Sequence, residues 1–147
     1  MTRSDREQHL ARRLNSLARR WRLAGDQALA QLGLSNATGW CLLYLSRLGE
    51  EASQSDLARA AEVREATLVR TLTQLEAAGL IERSPNPRDA RRNLMKLTEQ
   101  GAGIVSHIEE LLTDLRHDLL GEVSDDDLAA ALRLCDVLDV RFADKRV

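Results

Sequence analysis

The chain has 147 residues, 44% of them hydrophobic and 30% charged, with a formal net charge of −2. That balance and length favour one globular domain. They exclude a membrane span, since the longest apolar run is only Trp40 to Leu45, and the basic N-terminus lacks the apolar segment of a secretory signal. A cytoplasmic location is expected. Aromatic residues are 3% of the chain, so a core must come mainly from Leu and Ala, which suits helices.

Ser4 or Asp5 can cap a first helix running to about Leu32. Its apolar positions Leu10, Leu14, Leu17, Trp21, Ala24 and Ala28 recur every three or four residues, and Gly33 fits its stop. Ser35 or Asn36 opens a second helix to about Leu48. Ser53-x-x-Asp56 is a capping-box variant opening a third helix to about Ala61. After a tight turn, Glu65 to Ala78 reads as a fourth helix ended by Gly79. Ile81–Ser84 and Asn93–Leu97 are compatible with two strands, joined by the turn-forming segment Pro85 to Ala90. Thr98 caps a fifth helix to about Leu120. Gly121 stops it, and Ser124-x-x-Asp127 opens the last helix, whose Asp125, Asp126 and Asp127 favour the positive end of the helix dipole. Leu128, Ala131, Leu132, Cys135, Leu138 and Phe142 form one stripe there, and a partner subunit is the economical cover for it. Asp144 to Val147 look free to fray.

The third and fourth helices with the hairpin give a helix-turn-helix followed by a wing. Leu68, Leu72 and Leu75 are the inward stripe of the fourth helix. Thr67, Arg70, Thr71 and Gln74 fall on another face that carries no acid. Arg pairs bidentately with guanine, Gln with adenine, and a Thr methyl packs on thymine. Arg64 near the helix start can meet a phosphate or a base edge. At the wing, Arg88, Arg91 and Arg92 cluster. Asp89 sits two residues before Arg91, on the same side of an extended segment, and can brace its guanidinium for insertion into a narrow minor groove.

The charge is segregated. Residues 1–53 carry a net +3, residues 54–97 a net +2 and residues 98–147 a net −7. The proposed DNA face is therefore basic although the whole chain is not, and local charge governs groove binding. Cys41 and Cys135 have no metal-ligand spacing, and His9, His107 and His117 form no ligand motif, so neither metal nor cofactor is expected. No Ser-His-Asp, H-E-x-x-H, G-x-G-x-x-G or P-loop pattern supports an enzyme.

The stretches ATLVRTLTQLEAAGLIER (66–83), DARR (89–92) and LTEQG (97–101) resemble the MarR family of winged-helix regulators. LARRWRLAGDQALAQLGLSNATGW (17–40) also looks like its SlyA-like branch. The resemblance implies a mainly α fold with a small β-hairpin. One MarR-type domain would span residues 1–147, with the winged helix-turn-helix at about 35–97 and a dimerisation region at about 1–34 and 98–147. It further implies a homodimeric transcriptional regulator on a pseudo-palindromic duplex, modulated by a small aromatic anion. Trp21, Arg22, Trp40 and Tyr44 occupy positions matching the ligand pocket of that branch. Arg22 would neutralise a carboxylate between aromatic walls. The alternatives are an oxidant sensor acting through Cys41 and a winged-helix module for protein contacts.

Overall fold

The computed structural model describes residues 1–145. The elements follow in the order α1 (Arg3–Ala30), α2 (Asn36–Leu48), α3 (Gln54–Ala60), α4 (Glu65–Ala77), β1 (Ile81–Asn86), β2 (Asp89–Leu97), α5 (Glu99–Leu120) and α6 (Asp125–Asp144). The chain divides into two units, one up to Leu115 and one from Arg116 onward.

The first unit has a Leu-rich core. Leu29, Leu42, Leu43, Leu57, Leu68, Leu72, Leu75, Ile81, Met95 and Ile108 are essentially inaccessible to solvent. Each helix of the winged lobe turns one stripe into this cluster. Only the last turns of α1 join it, through Gly25, Ala28 and Leu29. Glycines permit the contact: a Cβ on Gly25 would lie 2.8 Å from the Trp40 ring, and one on Gly39 would lie 2.6 Å from Leu29. The earlier turns of α1 leave Leu10, Leu14, Leu17 and Trp21 exposed.

The helix ends are set by local hydrogen bonding. Helix α1 is capped by Thr2, not by Ser4 or Asp5. Asp5 is the third residue of a capping box, its N–H donating to Thr2 Oγ1 and its carboxylate accepting the Thr2 N–H. Ser35 caps α2, and the expected Ser53–Asp56 capping box opens α3. The end of α3 makes the helix-turn-helix corner. Val63 N–H donates to Ala58 O at 3.0 Å and Glu62 N–H to Arg59 O at 3.2 Å, with Glu62 at φ 56°. This is the left-handed helix stop that glycine usually fills. Helix α4 ends in the same motif with Gly79 at φ 72°.

The wing is longer and tighter than expected. Strands β1 and β2 pair antiparallel, Ile81 with Leu97 through Asn86 with Asp89, leaving only Pro87 and Arg88 in the turn. Pro85, expected in the connecting turn segment, lies in β1; a two-stranded ribbon has only edge strands, where proline is tolerated. The ladder passes from Pro85–Asn93 directly to Asn86–Asp89, so Ala90, Arg91 and Arg92 bulge out of β2.

Beyond the wing, α5 is fastened to the end of α4. The Thr98 N–H donates to Leu80 O at 3.1 Å, and its hydroxyl donates to Gly79 O at 2.6 Å. The same hydroxyl accepts the Gly101 N–H at 3.1 Å. A Cβ on Gly101 would stand 2.0 Å from the Leu80 carbonyl oxygen. The Leu97-Thr98-x-x-Gly101 motif is thus an architectural joint.

In the second unit, α6 is capped by Ser124, carries three Asp in its first turn and buries none of its residues. Leu132, Val137, Val140 and Phe142 are at least half exposed. Of the end expected to fray, Asp144 closes α6 and Lys145 caps it. Arg146 and Val147 lie outside the described residues.

Gly101→Ala should destabilise the protein by about 3 kcal/mol, the scale of forced overpacking. Gly103, whose Cβ would meet nothing within 4 Å, is the control. Gly103→Ala should be neutral or stabilising by up to about 1 kcal/mol from helix propensity. Denaturant melts of the two variants check this.

Candidate nucleic-acid interface

Helix α4 turns Leu68, Thr71, Leu72 and Leu75 inward. Thr71 therefore departs from the expected polar face. It is 4% exposed, and its hydroxyl donates to Thr67 O at 3.0 Å. Position 71 lies three residues after Leu68 and four before Leu75, within the width of a buried helical stripe. Thr67, Arg70 and Gln74 remain exposed as expected, and Arg64 is the exposed N-cap residue.

The acids of α4 are drawn off its outward face. Glu65 accepts the Ser55 hydroxyl at 2.7 Å, joining α4 to α3. Glu76 accepts Arg83 Nε at 2.9 Å, joining α4 to β1. Arg83 is thereby committed to fixing the wing against α4. Arg64 and Arg70 have no side-chain partner among the described residues and stay available for an anion.

The wing tip carries the remaining arginines. Arg88 N–H donates to Asn86 Oδ1 at 2.9 Å, and its guanidinium reaches Glu51, in the loop before α3, at 3.2 Å. That pair is 80% and 67% exposed, so solvent screens it and a phosphate can displace it. Asp89 does not brace the Arg91 guanidinium. Its Oδ1 accepts the Arg91 backbone N–H at 3.0 Å, and its Oδ2 stands 3.6 Å from Arg92 Nε. The bulge breaks the two-residue alternation on which the Asp89–Arg91 expectation rested. The carboxylate instead fixes the backbone at Arg91 and the side chain of Arg92. Arg91 projects with no side-chain partner among the described residues.

The second expected site is already internally occupied. Trp40 is 8% exposed and belongs to the core. Its Nε1 donates to Asp26 Oδ1 at 2.6 Å, and its ring lies 6.1 Å from Tyr44. Arg22 packs 4.3 Å over the Trp40 ring, stands 3.5 Å from Asp26 and donates to Ala61 O, the C-cap of α3, at 3.5 Å. Trp21 instead stands 43% exposed, because successive helical residues point about 100° apart. Asp26 was missed by the sequence reading. Its four-residue spacing from Arg22 was the available signal.

Residues 32–92, the winged helix-turn-helix and its approach, match the MarR family model. The chain is similar to the transcriptional regulator PA3341, with 28% identity over 92% of this chain and 98% of that one and a TM-score of 0.82. The chain has the MarR-family winged-helix fold. It is also similar to MarR from E. coli in its apo form, with 27% identity over 88% of this chain and 96% of that one and a TM-score of 0.71. The S. aureus MepR–DNA complex shares the fold at 23% identity over 86% and 92% of the two chains, with a TM-score of 0.68.

Within this MarR-type lobe, Cys41 is 1% exposed, and burial pushes its thiol up to about 12. An oxidant reacts with the thiolate, which this environment suppresses, so the oxidant-sensor reading loses its residue. Iodoacetamide at pH 8 should leave Cys41 unmodified for hours in the folded protein and alkylate it on unfolding, as read by peptide mass. Rapid labelling of Cys41 in the fold would contradict its burial.

Proposed function

We propose that this protein is a homodimeric, sequence-specific duplex-DNA-binding transcriptional regulator and not an enzyme. The observation that carries this reading is the sorting of charge around α4. Both α4 acids are engaged sideways, by Ser55 and Arg83, while Arg64, Thr67, Arg70 and Gln74 face outward beside a wing tip holding Arg88, Arg91 and Arg92. A module for protein contacts needs no such sorting. The DNA complex of MepR, which shares the fold, is consistent with it.

In this reading α4 enters the major groove and Arg91 the adjacent minor groove. Residues 35–97 form the DNA-binding lobe. Residues 1–34 and 98–147 form the dimerisation region, where a second copy covers the exposed apolar residues of α1 and α6. Two-fold symmetry then asks for a pseudo-palindromic site with half-sites about one helical turn apart. No described helix is long and apolar enough to cross a membrane, and we assign the protein to the cytoplasm.

The resemblance of residues 17–40 to the SlyA-like branch motivates a small aromatic carboxylate as modulator. Arg22, on α1, donates to the carbonyl that ends α3. A carboxylate competing for Arg22 beside Trp40, Tyr44 and Trp21 would loosen that link. It would change DNA affinity only by its differential affinity for the two arrangements.

Binding to duplexes selected from a random pool tests the DNA reading. Arg70→Ala should cost about 1–3 kcal/mol and relax discrimination at one base pair per half-site. Uniform weakening on all sequences would make Arg70 a phosphate contact, and no duplex binding at low salt would defeat the reading.

Asp89→Ala should weaken DNA binding about 2- to 5-fold, the scale of an exposed ion pair, although it removes a negative charge near DNA. The reason is its hold on Arg92 and on the Arg91 backbone. Tighter binding in a mobility-shift titration would show that simple charge repulsion prevails there.

A further inference from the structure

The outward face of α4 is not only polar. Val69 is 47% exposed in the middle of the helix, and Ala66 and Thr73 are exposed beside it. Residues 66, 69 and 73 follow the i, i+3, i+7 spacing of one helical stripe. Thr73 turns its hydroxyl back onto Val69 O at 3.0 Å, so the donor is spent within the helix and the other branch, a methyl, is left for contact. The result is a row of methyl groups running alongside Arg70 and Gln74.

Such a row is costly to leave in water and has no partner among the described residues. The charges around it select its occupant. The acids of α4 are engaged elsewhere and the free cations are Arg64 and Arg70, so an anionic surface carrying methyl groups fits. In the major groove the only methyl group is that of thymine C5.

We infer that Ala66, Val69 and Thr73 form a specificity strip that reads thymine methyl groups, with Val69 at its centre. This rests on the duplex-DNA reading above. It assigns base selection to residues other than Arg70 and Gln74, whose hydrogen bonds would read neighbouring pairs. A T·A pair is then distinguished from C·G at the strip by a methyl contact, without a hydrogen bond to the base.

The test uses the full-length protein and a duplex selected from a random pool, with thymines replaced one at a time by uracil. This removes only the methyl group and keeps every hydrogen-bonding atom. Wild-type protein should lose about 4-fold in affinity at one or two positions per half-site, the value of one buried methyl. Val69→Ala should bind the thymine duplex more weakly and no longer distinguish uracil from thymine at its position. Val69→Ile, which keeps the apolar contact, should retain the discrimination. If wild type is indifferent to uracil at every position, or Val69→Ala keeps the full thymine preference, the strip is overturned while the DNA reading stands. If selection yields no preferred duplex, the DNA reading itself fails. Circular dichroism melts of the variants establish that each is folded.

Discussion

The joint at Leu80 is the constraint on which the DNA-facing geometry depends. Helix α4 is closed by its own Gly79 stop, and Thr98 ties down the two carbonyls that follow it, its N–H donating to Leu80 O and its hydroxyl to Gly79 O. The same hydroxyl caps α5 by accepting the Gly101 N–H. One residue thereby joins the exit from α4 to the start of α5. Gly101 allows the approach, since any Cβ there would collide with the Leu80 carbonyl. Between the two ends of this joint the chain has room only for the hairpin, so the wing leaves and returns at a fixed place beside α4. The Arg83–Glu76 pair holds the base of β1 to that helix.

From this frame the charge arrangement follows. Fixing β1 against α4 uses Glu76, and fixing α3 against α4 uses Glu65. The contacts that build the lobe are the ones that clear acid from its outward surface. Stability and function draw here on the same residues. Loss of Arg83 would loosen the wing and also return a carboxylate to the face beside the groove.

Much of this was legible in the sequence because it rests on short-range rules. The capping box of α3, the inward stripe of α4 and the stop at Gly79 are set by neighbours within four residues. The misreadings share the opposite character. Thr71 was assigned outward because its type suits DNA, but the buried stripe is wider than its three leucines. Asp89 was paired with Arg91 by an alternation that a bulge removes, and the bulge depends on strand register. Arg22 was read as a free cation, yet Trp40 and Ala61, distant in sequence, together with Asp26 occupy it. Glu62 at the helix-turn-helix corner gave no signal, since its left-handed backbone is imposed by the packing of α3 on α4 and not by its own preference.

Leu10, Leu14, Leu17 and Trp21 stand exposed along α1, and Leu132, Val137, Val140 and Phe142 along α6.

The central claim is that α4 and the wing read two different grooves. Dimethyl sulfate probing of the bound, selected duplex tests it most directly, because it reports guanine N7 in the major groove and adenine N3 in the minor groove. The account predicts protected N7 positions in two patches about one helical turn apart, with protected N3 positions beside each patch that are lost in Arg91→Ala. Binding that left every N7 and N3 reactive would contradict the account.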